Sequence, residues 1–296
     1  MHGAVVGGGL AGLGVAHALT KRGVRVDLFD KNGIGSGASG IASGLLHPYP
    51  GKKGLKSKFA DEGMAKTLSL INLAESVLGK KVALRNGILR KNWEPVEWFD
   101  DLEQTHQGIL IKSGCTVYMK SYLKGLLLSL EGVEFFQKEL MDKSDYDFVV
   151  YAMGKGMRSL DIEGVQYVKG QILTCRSKIP FERSVIGSGH ISPLEQEGMY
   201  HVGSTYEHHA KDDNPDQQVA ISYLKPRIEE FCLKFNQFDV FDVVDCSCDV
   251  RVCMKGSYLP MVVQNAAREF IFTGLGSRGL LYHALFGEKL AEIILQ

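Results

Sequence analysis

The sequence predicts an α/β fold, α+β overall, wound around a nucleotide-binding unit. Three stretches predict it. An apolar strand runs into a glycine turn within the first dozen residues. A second apolar strand, "YDFVVYAMGKG", ends in Ala-x-Gly near position 152. A third, "EFIFTGLGSRGLLYHALFGEKLAEIIL", repeats strand, glycine turn and helix at the C-terminal end.

The first stretch carries the most information. Ala4 to Val6 is a short apolar, β-branched run of the kind that forms a buried strand. Gly7, Gly9 and Gly12 follow in GxGxxG spacing. The first glycine permits a tight turn, the second lets backbone approach a pyrophosphate, and the third lets the next helix pack close to the strand. Leu10 to Lys21 has helical periodicity, and Gly23 is placed to end that helix. Val24 to Phe29 reads as the second strand. Asp30 closes it, 18 positions after Gly12, near the spacing of about 20 at which an acidic residue meets a ribose hydroxyl pair. Further on, Ser121 to Leu140 reads as a helix with apolar Leu123, Leu126, Leu127 and Leu130, then a strand.

Composition narrows the class. The 296 residues hold 34 basic and 34 acidic side chains, and 45% are hydrophobic. That is ordinary for a globular chain of one large or two intimately joined domains. The balanced charge argues against a strongly electrostatic partner such as bulk nucleic acid. Two lysine-rich runs, "GKKGLKSK" (Gly51 to Lys58) and "GKK" (Gly79 to Lys81), read as a solvated loop and a helix end. No signal peptide is expected, because the chain enters a core strand almost at once. No apolar run reaches the roughly 20 residues of a membrane span, so no membrane partner is expected. Cys115, Cys175, Cys232, Cys246, Cys248 and Cys253 form no CxxC pair. Buried reduced thiols in a cytoplasmic protein suit them better than a metal site.

The segment after Asp30 bears on which dinucleotide is held. "KNGIGSGASGIASGLLHPYP" (Lys31 to Pro50) is dense in Gly, Ala and Ser. Small residues let backbone amides and hydroxyls approach a bulky anion. An NAD-binding unit would instead continue with another helix and strand. The glycine-rich opening, the Gly-Ala-Ser loop, the Ala-x-Gly strand end and the C-terminal glycine turn together resemble the D-amino-acid oxidase superfamily of FAD-dependent oxidoreductases. Within it, "VKGQIL", "HVGSTYEHH", "DVRVCMKGSYLPMV" and "GLGSRGL" look like the C-terminal oxidase domain of the bifunctional tRNA 5-methylaminomethyl-2-thiouridine biosynthesis protein. No counterpart of that protein's methyltransferase half is expected here. The chain is shorter than typical amino-acid oxidases, which implies a trimmed substrate domain. Gly256, Ser257 and Tyr258 stand where relatives tend to carry an acidic residue before "LP".

The resemblance implies a Rossmann-like FAD-binding domain from residues 1–50, 113–165 and 250–296. Residues 51–112 and 166–249 would form a discontinuous antiparallel-sheet substrate domain. "NGILRKN", "QILTCR", "MYHVGSTY" and "CSCDVRVCM" read as its strands, and "QVAISYLKPRIEEFCLKF" as an amphipathic helix interrupted by Pro226. The resemblance places FAD against Gly7, Gly9, Leu10, Ala11 and Gly12, with Asp30 and Lys31 at the ADP half. Gly37, Ala38 and Ser39 would cover the pyrophosphate, followed by Gly44 and Leu45. Leu140, Ala152 and Gly154 would lie by the nucleotide. Gly276, Ser277, Arg278, Gly279 and Leu280 would meet the pyrimidine end of the flavin.

The implied reaction is oxidation of a C–N bond in an amino acid or an N-substituted glycine-like amine, with the imine then hydrolysed. Alternatives are a tRNA wobble-uridine oxidase and a flavin-binding assembly protein without turnover. Arg251 is the expected carboxylate clamp, because a guanidinium fixes a carboxylate by two parallel hydrogen bonds; an ion pair with Asp249 or Asp245 is the structural alternative. Arg278 would face substrate or flavin. Tyr206 is a candidate second donor or pocket wall, and Gln171 a weaker candidate beside the ring. His47 should lie near the flavin as a packed residue, and His208 and His209 should be solvated.

Overall fold

In the computed structural model, which describes residues 1–51, 53–231 and 238–296, the chain enters a parallel sheet at once. β1 (His2–Val6) and β2 (Arg25–Phe29) pair in parallel, joined by α1 (Leu10–Thr20). The GxGxxG residues form the turn between β1 and α1. Gly23, just past the helix, adopts a positive φ of 78°. Then come a one-turn α2 (Ala38–Ile41), β3 (Leu45–Leu46), and the long α3 (Ala60–Leu78), which ends on left-handed Gly79.

The middle of the chain supplies short strands. These are β4 (Ala83–Leu84), β5 (Ile88–Arg90), β6 (Leu102–Thr105), β7 (Gly108–Ile111) and β8 (Cys115–Val117). α4 (Met119–Leu128), β9 (Val133–Phe136) and β10 (Phe148–Tyr151) return to the first sheet. A second sheet follows, with β11 (Val165–Ser177), β12 (Val185–Ile186), β13 (His190–Pro193) and β14 (Met199–Gly203). α5 (Gln217–Phe231), β15 (Phe241–Met254), β16 (Met261–Ala266), β17 (Glu269–Thr273) and α6 (Gly279–Ile294) complete the chain.

The first sheet has the order β16-β17-β10-β1-β2-β9. All its pairs are parallel except β16 with β17. Its apolar strands are covered by α1, which is buried along nearly its whole length. A helix apolar all round belongs inside a core, and α6 encloses it. The two helices meet at glycines. A Cβ on Gly14 would stand 2.5 Å from the His283 carbonyl oxygen, and one on Gly287 2.6 Å from the Gly14 carbonyl carbon. α3 packs on α6 in the same way at Gly63, and the Thr67 hydroxyl donates to the Leu280 carbonyl at 2.6 Å. The α6 N-terminus is therefore anchored from two sides.

The second sheet has the order β15-β11-β14-β13-β12-β5-β7-β6. β11 and β15 pair along their full length with one register shift at Thr174/Cys175. The sheet is antiparallel apart from β12 with β5, which run parallel. β3, β8 and β4 form a small third sheet. The proposed boundary at residue 250 falls inside β15, and α3, from the 51–112 stretch, packs in the first core.

One expectation fails. α5 runs unbroken through Pro226. Proline removes one backbone hydrogen bond and crowds the preceding turn. Here Ala220, Leu224 and Ile228, one turn apart, are buried against Leu173 and Val202. This packing holds the helix across its weak point, as tertiary burial supplies most helical stability. The C-terminal continuation of that stretch, with Cys232, lies outside the described residues.

Candidate active site

A cavity of about 2260 Å³ opens at the carboxyl ends of the parallel strands and extends under the second sheet. This is the expected place for a ligand in an open α/β sheet. It exceeds the usual few hundred to 1,000 Å³ of a small-molecule pocket.

The glycine turn forms one end. Gly7 has φ +120°, and a Cβ there would stand 2.2 Å from the Ala152 carbonyl oxygen. A Cβ on Gly12 would stand 1.7 Å from the Gly7 carbonyl oxygen, so this turn can close only on glycine. Gly9 is the N-cap of α1 and offers no side-chain cap. Gly7, Gly9, Leu10 and Ala11 line the cavity, whereas Gly12 lies behind them as a packing residue. The Ser39 hydroxyl accepts from the Leu10 N–H at 3.1 Å, which ties the Gly-Ala-Ser loop to the start of α1. Asp30 accepts from the Gly8 N–H at 2.7 Å through one oxygen and from the Asn32 N–H at 2.9 Å through the other. It braces the turn and still lines the cavity.

The other nucleotide-end candidates line the same space: Lys31, Gly37, Ala38, Gly44, Leu45 and Leu140, with Ala152 and Gly154 opposite. Lys31 spends its charge on exposed Glu139 at 2.8 Å, and that hydrogen bond raises its pKa. Gly44 needs its φ of +69°, since a Cβ would stand 1.8 Å from the Val117 carbonyl oxygen.

The C-terminal turn forms a further wall. Gly276 has φ +53°, and its N–H donates to the Val252 carbonyl at 2.8 Å. Ser277, Arg278, Gly279 and Leu280 line the cavity beside it. Arg278 is the N-cap of α6. Its guanidinium lies 3.9 Å from the centre of the Tyr258 ring. Its Nε is buried without a hydrogen-bond partner, and burial lowers its pKa.

Arg251 projects from β15. Its Nη2 donates to the Ser204 hydroxyl at 2.6 Å and its Nη1 to the Thr205 carbonyl at 3.2 Å. The guanidinium lies 4.5 Å from the centre of the Tyr206 ring. No carboxylate pairs with it among the described residues. Of the two structural alternatives, Asp249 pairs instead with Lys155 at 3.0 Å, and Asp245 accepts from the Ser247 hydroxyl at 3.0 Å. Gly170 leaves room for the guanidinium in this position, since a Cβ there would stand 2.3 Å from Nη2 of Arg251 and displace it.

Three lesser candidates resolve differently. Gln171 is fully buried and does not line the cavity. Its Nε2 donates to Glu207 at 2.9 Å, and its Oε1 accepts from the Asp216 N–H at 2.6 Å, so it fastens the 207–216 loop. A position beside the ring is therefore a misreading, caused by the strand's alternation of faces. His47 is buried, with Nδ1 accepting from the Tyr49 N–H at 3.3 Å; burial, with Arg90 and Arg278 nearby, holds its pKa at about 3. His208 and His209 are exposed, although His208 reaches the cavity edge.

Other participants carried no sequence signal. Half-buried His190 hydrogen-bonds Ser43 at 2.7 Å, joining the second sheet to the loop before Gly44. Tyr258 stacks on Arg278, and Asp213 pairs with Arg158 at 2.8 Å across the cavity edge. Three of the five described lysines in the lysine-rich runs are ion-paired. Lys56 pairs with Asp61, Lys80 with Glu195 and Lys81 with Glu75. Lys52 lies outside the described residues. Among the described residues, no cluster of His, Cys, Asp or Glu could hold a metal ion, and no helix is long and apolar enough to cross a membrane.

Known proteins fit this geometry. The model of the DAO family, "FAD dependent oxidoreductase", matches residues 3–293. The tRNA 5-methylaminomethyl-2-thiouridine biosynthesis bifunctional protein MnmC of Leptospira borgpetersenii is 22% identical, over 98% of this chain and 57% of its own length. That of Leptospira interrogans is 23% identical over 99% of this chain. The chain thus spans little more than half the length of these relatives. Glycine oxidase from Geobacillus kaustophilus superposes with a TM-score of 0.78 at 20% identity, over 99% of this chain and 94% of that one. Iminodiacetate oxidase from Chelativorans sp. BNC1 does so at 0.76 and 16%, over 99% and 95%. The cavity suits a dinucleotide: its turn excludes any side chain, and small residues open backbone toward it at both ends. The chain belongs to the DAO family of FAD dependent oxidoreductases, and FAD is its cofactor.

Proposed function

We propose that this protein oxidises the C–N bond of an amino acid or an N-substituted glycine-like amine. The observation that carries the reading is Arg251: a cavity-lining guanidinium, stacked on Tyr206, with neutral partners and no carboxylate among the described residues. Guanidinium has five N–H donors, and two are spent on Ser204 and Thr205. The remainder can take both oxygens of a substrate carboxylate.

The residues that would hold FAD are Gly7 to Gly12 and Asp30 at the adenosine half, Gly37 to Ser39 along the pyrophosphate, and Gly276 to Leu280 at the flavin. When bound, FAD supplies a two-electron acceptor, so that the substrate's C–N single bond becomes C=N and water then cleaves it to a carbonyl compound and a free amine. The chain's contribution is orientation and electrostatics. Arg251 fixes the carboxylate, and Ser204 and Thr205 fix Arg251. Tyr206 supplies a flat wall. The α6 N-terminus, held by Thr67, presents amides and the positive end of the helix dipole. No side chain need act as base toward an amine already neutral.

A second reading is a tRNA-modifying oxidase. The curated relatives are named for tRNA biosynthesis and match nearly the whole chain. A carboxymethylaminomethyl group on a uridine is itself an N-substituted glycine, so the same clamp would serve. Tyr258, 77% exposed at the cavity, offers a ring on which a base could stack. The zero net charge weighs against phosphate binding.

The test is to mix FAD-loaded protein without oxygen with glycine, N-methylglycine and carboxymethylaminomethyl-bearing tRNA. Bleaching of the flavin by the small amines supports the first reading. Bleaching by tRNA alone supports the second. A flavin that stays oxidised with all of them overturns both.

A further inference from the structure

We infer that the substrate carries a second anionic group besides the carboxylate taken by Arg251, and that Arg278 receives it. This rests on the reading of Arg251 given above.

The argument is a count of charge in one cavity. Its carboxylates are engaged elsewhere. Asp213 and Asp249 pair with Lys155 or Arg158, and Glu139 with Lys31. Asp30 and Asp142 accept from backbone N–H groups, and Glu230 accepts from the Ser188 hydroxyl. None reaches Arg251 or Arg278, and neither arginine has an ion pair among the described residues. Both are mounted alike. Arg251 lies over Tyr206 and Arg278 over Tyr258, and each touches a backbone carbonyl. A tyrosine face steadies a guanidinium but leaves its charge uncancelled.

The two belong to one neighbourhood. Val252, next to Arg251, accepts the N–H of Gly276 at 2.8 Å, and Cys253 bridges to Leu275, so β15 and the turn that carries Arg278 lie side by side. Two other cavity arginines stack on tyrosines among the described residues: Arg158 on Tyr167, but it pairs with Asp213 at 2.8 Å, and Arg227 on Tyr223, but it donates to the Tyr223 carbonyl within its own helix. Arg278, half-buried with its Nε unpartnered, pays desolvation that a bound anion would return. A monocarboxylate satisfies one guanidinium; a dianion satisfies both. The fitting class is an amine or amino acid with two acidic groups, the second a carboxylate or a phosphonate.

The test uses FAD-loaded protein and probes that lack the C–N bond, so that binding is read without turnover. Oxydiacetate has two carboxylates and methoxyacetate one. Each is titrated while the bound flavin's visible spectrum is followed. The wild type should bind oxydiacetate at least about tenfold tighter, the worth of a charged hydrogen bond. Arg278→Met should bring the two affinities together, and Arg278→Lys should restore part of the gap. Phosphonomethoxyacetate tells whether phosphonate serves as well as carboxylate. Equal affinities in the wild type, or a gap that survives Arg278→Met, overturn the inference. So does a shifted flavin midpoint potential in Arg278→Met with the gap intact, which would assign the charge to the cofactor. If Arg251→Met leaves methoxyacetate binding unchanged, the reading of Arg251 itself falls.

Discussion

The Arg251 guanidinium lies 4.5 Å from the centre of the Tyr206 ring, while its Nη2 donates to the Ser204 hydroxyl at 2.6 Å. The strand order β14-β11-β15 makes this possible, because it carries residues 204–206 past Gly170 and alongside Arg251. Arg251→Met should cost about 3 kcal/mol of carboxylate binding, the range for removing a charged partner. Steady-state kinetics would show it as a raised KM for carboxylated amines, with FAD retained. Tyr206→Ala should cost about 1 kcal/mol, and Tyr206→Phe less, because a phenyl face still meets the cation.

Asp30 couples the turn to the nucleotide end through its bond from the Gly8 N–H. Asp30→Ala should weaken FAD binding by roughly one to two orders of magnitude, since it removes a charge-assisted bond and a ribose acceptor together. Release of FAD on dilution, followed by fluorescence, measures it.

Gly14 and Gly287 set the approach of α1 and α6. Gly14→Val should destabilise the fold by about 3 kcal/mol or more, because the clash is with backbone carbonyls that cannot swing away. Thermal unfolding of the FAD-free proteins would read it, separately from any effect on cofactor binding.

Two buried histidines, His47 and His283, and two half-buried ones, His190 and His201, make the fold acid-labile. Burial holds His47 and His190 at about 3 and His201 and His283 at about 4, against an ordinary 6.5. Below pH 6.5 the unfolded chain takes up protons that the native chain does not. Stability is therefore full above that pH and falls as pH drops from 6.5 toward 4. Each histidine contributes up to about 1.4 kcal/mol per pH unit. Urea unfolding at about pH 7.5 and about pH 5 should show a large loss, and His283→Gln should reduce its pH slope.

What was legible in the sequence was local. The strand, glycine turn, helix and acid of the opening stretch need no distant partner, and neither does the third glycine turn before α6. Arg251 was legible because a lone arginine among apolar strand residues must face something polar. The rest depends on long-range placement. Ser43 and His190 are 147 positions apart. Tyr258 gains meaning only when the C-terminal turn brings Arg278 beneath it. Gln171 misled because neighbouring strand residues face opposite sides: Gly170 opens on the cavity while Gln171 fastens a loop behind it. β3, β4 and β12 have two residues each, too few to show a period.

The most direct measurement is the rate at which an N-substituted glycine bleaches the bound flavin in the absence of oxygen, in the wild type and in Arg251→Met. The account predicts rapid bleaching in the wild type, and loss of about a hundredfold in bleaching rate at low substrate in the variant, with FAD still bound. Equal rates in the two proteins would contradict it.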